Sequence, residues 1–115
     1  MPSLEKTQVS SPITLDVGGI QFKTSKETLL NAKGSYFEIL VQNMMNRLSE
    51  TVGDDENEQQ TDSALYQFID RDGTHFRYIL NFMRGIPVVI PTNIKPILKE
   101  EISFYGIQGM DALVN

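Results

Sequence analysis

The chain has 115 residues, 40% of them apolar, and a formal net charge of -5. That length suits one hydrophobic core, burying roughly two-thirds of the unfolded surface, and the acidic balance argues against a nucleic acid or an anionic membrane as partner. With no cysteine there is no disulfide framework, no thiolate zinc site and no cysteine nucleophile.

The first residues, Met1-Pro2-Ser3-Leu4-Glu5-Lys6, lack the apolar run of a signal peptide, and no later stretch is apolar enough to span a bilayer. A soluble, cytoplasmic protein is the expectation. Residues 1–12 are polar, without periodicity, and end at Pro12, so they read as a flexible tail ahead of one domain over 13–115. A Gly18-Gly19 turn then pairs Val17 with Ile20, Leu15 with Phe22 and Ile13 with Thr24. One face of that hairpin is nearly all apolar, and the other collects Thr14, Asp16, Gln21 and Lys23.

Thr24 followed by Glu27 has capping-box spacing, which predicts a short helix carrying Leu29 and Leu30 and stopping near Gly34. Ser35 with Glu38 repeats the device. From there Phe37, Leu40, Val41, Met44 and Leu48 follow the stripe of a helix with one buried face. Met44 and Met45 read either as gap-fillers in the core or as an adaptable patch that binds a partner. Residues 49–63, with Asp54-Asp55-Glu56 and then Asn57-Glu58-Gln59-Gln60, predict a long, solvated, disordered acidic loop.

Order resumes with a strand over Ala64 to Ile69. Asp72 is placed to cap a helix whose buried stripe is Phe76, Ile79, Leu80 and Met83, with Gly85 just past its end and Pro87 forbidding continuation. Val88-Val89-Ile90, closed by Pro91, predicts a short edge strand. A last long helix follows Thr92 or Asn93, accepts Pro96 in its first turns and buries Ile94, Ile97, Leu98 and Ile102 before Gly106. Ile107 to Leu113 adds a further turn or two. The order predicts a mixed α/β domain, a small sheet with helices packed against it.

Catalytic and ligand-binding patterns are missing. Asp70-Arg71-Asp72-Gly73 begins like a calcium loop, but glycine comes too early and the later oxygen ligands are replaced by the apolar helix face. Gly18-Gly19 lies between two strands, not before a helix, so it cannot cradle a phosphate. His75 is the only histidine and has no evident base or metal-ligand partner. The reading is a non-enzyme with no cofactor and no metal.

Ile13-Thr14-Leu15-Asp16-Val17-Gly18-Gly19, Phe22, Thr24-Ser25, Thr28-Leu29, Ser35-Tyr36-Phe37, Phe68-Ile69-Asp70-Arg71-Asp72-Gly73, Phe76, Ile79-Leu80-Asn81-Phe82 and Phe104-Tyr105-Gly106-Ile107 carry a resemblance. In this order and spacing they resemble the BTB/POZ domain of the potassium-channel tetramerisation type, most closely that of the soluble KCTD proteins. The resemblance implies a small sheet flanked by helices, self-association into rings of four or five through polar faces, and an adaptor role. In several members it implies recruitment of a cullin-type ubiquitin ligase scaffold. An alternative within the family is the cytoplasmic tetramerisation domain of a voltage-gated potassium channel. The absence of cysteine excludes the zinc-bridged version of that assembly. No substrate-binding region follows Asn115, so on this resemblance the sequence is a fragment or a domain that acts alone.

A ring needs two matching surfaces on each subunit. Asp70, Arg71 and Asp72 are the first interface candidates, because charges cannot enter an apolar core unpaired: a cross-subunit network is one way to satisfy them, and the alternative is that Asp70 and Asp72 are local turn and cap residues with Arg71 in water. The polar hairpin face, Thr14, Asp16, Gln21 and Lys23, is the second. On the resemblance, the acidic loop over 49–63 lies where a cullin is expected to approach, and it is longer and more acidic than the compact connection typical of the soluble members.

Overall fold

A computed structural model describes residues 11–51 and 63–115. Strands β1 (Ile13–Val17) and β2 (Ile20–Thr24) pair antiparallel in the predicted register, Val17 opposite Ile20 and Ile13 opposite Thr24. Gly18 and Gly19 take positive φ values of 62° and 101°, the conformation that a Cβ penalises. The Asp16 carboxylate accepts the Gly19 N–H at 2.7 Å and closes the turn. After helices α1 (Lys26–Leu30) and α2 (Tyr36–Thr51), strand β3 (Tyr66–Ile69) returns parallel to β1. The sheet order is β2-β1-β3. Helices α3 (Phe76–Met83), α4 (Lys95–Tyr105) and α5 (Asp111–Val114) complete the chain. A small three-stranded sheet with helices is thus the observed α+β architecture.

Helix α1 is capped one residue later than the sequence predicts. Thr24 stays in β2 opposite Ile13, and the hydroxyl of Ser25 accepts the Thr28 N–H at 3.1 Å. At α2 the reciprocal device is present: Ser35 accepts from the Phe37 N–H at 3.1 Å while Glu38 reaches back to the Gly34 N–H at 2.8 Å. Nothing in the sequence stops α2 before Gly53, so residues 49–51 are helical rather than part of the predicted loop. Residues 52–62 of that loop, and 1–10 of the predicted tail, lie outside the described residues. Beyond the loop, β3 starts at Tyr66 instead of Ala64, because Ser63 and Ala64 are helical and Leu65 turns into the strand; the Ala64 carbonyl accepts from Arg47 at 3.3 Å.

Asp72 does not cap α3. Its carboxylate accepts from the N–H and the hydroxyl of Thr74 (2.9 and 2.5 Å), so it fixes the preceding turn, while His75 at the N-cap makes no side-chain bond. The far end is as predicted: Gly85, at φ 81°, lets the N–H groups of Gly85 and Ile86 satisfy the carbonyls of Phe82 and Asn81, each at 3.0 Å. Val88-Val89-Ile90 forms no strand. It lies between Pro87 and Pro91 without a ladder partner among the described residues, and Val89 is 88% exposed. In α4 the buried residues are Leu98, Ile102 and Tyr105, in line with Ile94. Ile97, predicted to be buried, is 51% exposed, since it sits about a quarter-turn off that line.

The core lies between one face of the sheet and the helices. Ile13, Leu15 and Val17 meet Phe37, Met44, Ile79, Leu80 and Leu98, all essentially inaccessible. Phe37 stacks on Tyr105 with ring centroids 4.9 Å apart, and Phe76 packs edge-on to Tyr105 at 5.4 Å and to Phe22 at 5.1 Å.

The β1–β2 turn is locked to the loop after β3. The Gly18 N–H and the Arg71 N–H both donate to the Ile69 carbonyl at 2.9 Å. A Cβ on Gly73 would press into the Val17 carbonyl, and one on Gly18 into the carbonyl of Arg71. Gly73→Ala is therefore expected to destabilise the fold by about 1–3 kcal/mol, a fall in Tm of roughly 4–8 °C per kcal/mol. Thermal unfolding followed by circular dichroism measures it, and an unchanged Tm would refute the lock.

Candidate interaction surfaces

Two surfaces gather the polar and aromatic groups that the core does not use. The first is the outward face of the sheet. Its register aligns Lys23, Thr14 and Tyr66 in one row and Gln21, Asp16 and Phe68 in the next. All four predicted residues, Thr14, Asp16, Gln21 and Lys23, are therefore on one face. Tyr66 (40% exposed) and Phe68 (50% exposed) join them. The Tyr66 hydroxyl donates to the second oxygen of Asp16 at 2.8 Å, and this bond raises the phenol above its usual pKa. Sequence reading missed Tyr66 as a site residue. The signal was the Tyr66, Phe68 alternation against Gln67 and Ile69, which only the parallel pairing turns into a position beside Asp16.

The second surface is built on α4. Here Arg71 reaches from the end of β3 to Glu101, its Nη2 2.6 Å from one carboxylate oxygen and its Nε 3.3 Å from the other. The same guanidinium lies 4.0 Å from the centroid of the Phe104 ring. Bidentate pairing and stacking together fix a planar cation in one place, and hydrogen bonding to Glu101 holds its proton more firmly than usual. Ile97 and Phe104, 51% and 50% exposed, flank the pair.

Two of the three charges expected to require a neighbouring subunit have partners at home. Arg71 finds Glu101 within its own chain, and Asp72 finds Thr74, whose two bonds lower the Asp72 carboxyl below its usual range. Asp70 is exposed. Of the two methionines weighed as a binding patch, Met44 is wholly inaccessible and Met45 only partly covered at the core's margin. Met44 is a core residue because it falls on the inward stripe of α2 with Phe37, Leu40 and Val41. The exposed apolar residue of that helix is Ile39, at 59%.

Two hydroxyls are buried without a hydrogen-bond partner among the described residues, those of Thr24 at the end of β2 and Tyr105 in α4. Burial, helped by the nearby Glu101 carboxylate, pushes the Tyr105 phenol far above its usual range. Among the described residues no group of three histidine or carboxylate side chains is arranged to hold a metal ion. Nor is any helix there long and apolar enough to cross a membrane.

Residues 13–113 match a family model for the BTB/POZ domain. The chain is also 35% identical over 104 residues to the BTB/POZ domain-containing protein KCTD21 of mouse and, to the same extent, of human. The match covers 89% of this chain and 35% of each relative, so the chain spans about a third of their length.

Two outcomes follow from this geometry. A double-mutant cycle of Arg71→Ala and Glu101→Ala, read by urea unfolding, is expected to give a coupling of about 1 kcal/mol, with Arg71→Lys recovering little because the fork is lost. Zero coupling would remove the pair from the architecture. The second concerns alkaline pH. Since an unfolded tyrosine ionises near 10.0 and the buried Tyr105 does not, stability is intact below that pH and falls above it, by up to about 1.4 kcal/mol per pH unit per group. Tyr105→Phe is expected to flatten that decline without loss at neutral pH, and an identical alkaline slope in the variant would contradict it.

Proposed function

The chain belongs to the BTB/POZ family, and from that premise we propose that it is a self-associating interaction module that joins proteins into an assembly rather than a catalyst. BTB domains generally self-associate. What carries the reading for this chain is one observation: it exposes two unlike polar and aromatic surfaces, the outer sheet face and the α4 flank. Unlike surfaces favour head-to-tail contact, which closes into a ring when the rotation divides a full turn.

The assembly is a ring of four or five copies in the cytoplasm, held without metal or cofactor. In it Thr14, Asp16, Gln21 and Lys23 on one side, and the Asp70-Arg71-Asp72 region on the other, set the orientation of neighbours. Each ring offers several equivalent sites to a cullin-type ubiquitin ligase scaffold, and likeness to KCTD proteins supports that adaptor role over a channel domain.

Native mass spectrometry of the purified chain tests the first step, and one multiple of the subunit mass at micromolar concentration is expected. A monomer at every concentration would end the proposal. Pull-down with the N-terminal region of a cullin tests the second, with capture at near-stoichiometric yield expected. Failure to capture it from an intact ring would remove the ligase and leave the ring.

A further inference from the structure

We infer that Phe104 is the anchor of the contact between copies, seated against Tyr66 and Phe68 on the outer sheet face of the next subunit, with Arg71 as the residue that positions it. This rests on the self-association proposed above and says which two faces meet.

The first support is chemical. Phe104 is half exposed, yet its ring is not free to turn away, because the Arg71 guanidinium lies over it and Glu101 holds that guanidinium at two points. A large aromatic side chain, held in place before contact, is the type of residue that dominates interfaces. The sheet face offers the matching platform: Tyr66 held by Asp16, and Phe68 in the adjoining row. Covering Arg71 is tolerable because its charge is already matched within the chain.

Charge complementarity selects a second copy as the occupant. On the α4 flank, Glu100 lies one turn from Phe104, exposed and in no ion pair among the described residues. On the sheet face Lys23 is exposed and likewise in no ion pair among them, while Asp16 is engaged by Tyr66 and Gly19. Lys23 of one copy can therefore meet Glu100 of the next. Dimensions agree: Ile97 to Phe104 spans about 10 Å along the helix, and three strands span about 10 Å between their outer axes.

The natural absence of cysteine permits a direct test. Phe104→Cys and Phe68→Cys chains are prepared separately, their melting temperatures checked, and then mixed and oxidised under mild conditions. A cross-linked heterodimer is expected in several-fold excess over anything either variant forms alone. In parallel, Lys23→Glu or Glu100→Lys is expected to weaken assembly by roughly threefold or more, and the double reversal to restore it. Assembly of the unmodified chain with no mixed disulfide and no effect of charge reversal would overturn this contact and leave self-association standing. Predominant Phe68→Cys self-linkage would overturn it as well, by showing like faces together. A chain that never assembles would overturn both.

Discussion

The close backbone contact between the β1–β2 turn and the loop after β3 is what the rest of the molecule is arranged around. Gly18 and Gly73 are far apart in sequence, yet each approaches a carbonyl of the other's segment too closely for a side chain. The Ile69 carbonyl accepts from both sides of the junction, from Gly18 and from Arg71. Because this contact fixes where β3 ends, it also fixes the direction in which the chain leaves the sheet. Arg71 is thereby delivered to Glu101 and Phe104 on α4, 30 residues away along the chain. Two motifs that look separate in the sequence are the halves of one joint.

Among the described residues the helices pack on one side of the three-stranded sheet and leave its other side open. In β1 the alternation is strict, with Ile13, Leu15 and Val17 inward and Thr14 and Asp16 outward. In β3 it is not, since the outward residues Tyr66 and Phe68 are aromatic. Exposed aromatic area of this kind is a common basis of association surfaces. Beside it Asp16 is tied down by two bonds, so covering that carboxylate leaves no unsatisfied acceptor there.

Much of this was legible in the sequence, and what was not shares a physical cause. The hairpin register follows from alternation and a Gly-Gly turn, and both are local. The start of α2 follows from Ser35 and Glu38, again local. The α1 cap was misplaced by one residue because Thr24 and Ser25 offer the same hydroxyl chemistry, and only the pairing of Thr24 with Ile13 decides between them. Val88-Val89-Ile90 has strand propensity but no neighbouring strand, and propensity without a partner makes no ladder. Ile97 fits a helical stripe as well as Leu98 does, but the orientation of α4 is set by Tyr105 against Phe37. The Arg71–Glu101 pair and the outward Phe68 depend on long-range packing, to which periodicity is blind. Charge-burial reasoning rightly demanded a partner for Arg71, but it could not say on which chain.

Phe104 and Tyr105 are consecutive residues of one helix, about a quarter-turn apart on its circumference, with their rings edge-to-face at 5.0 Å. Tyr105 is inaccessible, stacked on Phe37 and edge-on to Phe76, whereas Phe104 is half exposed under Arg71. Any rotation of α4 that displaced Phe104 would have to drag Tyr105 out of the aromatic core, where close packing resists movement. The outer face thus inherits the rigidity of the inner one. A side chain held in this manner gives up little conformational freedom when it is covered, so more of the contact energy remains available for binding. In a module whose work is to hold other chains in fixed geometry, coupling of core order to surface order is what converts a folded domain into a specific connector.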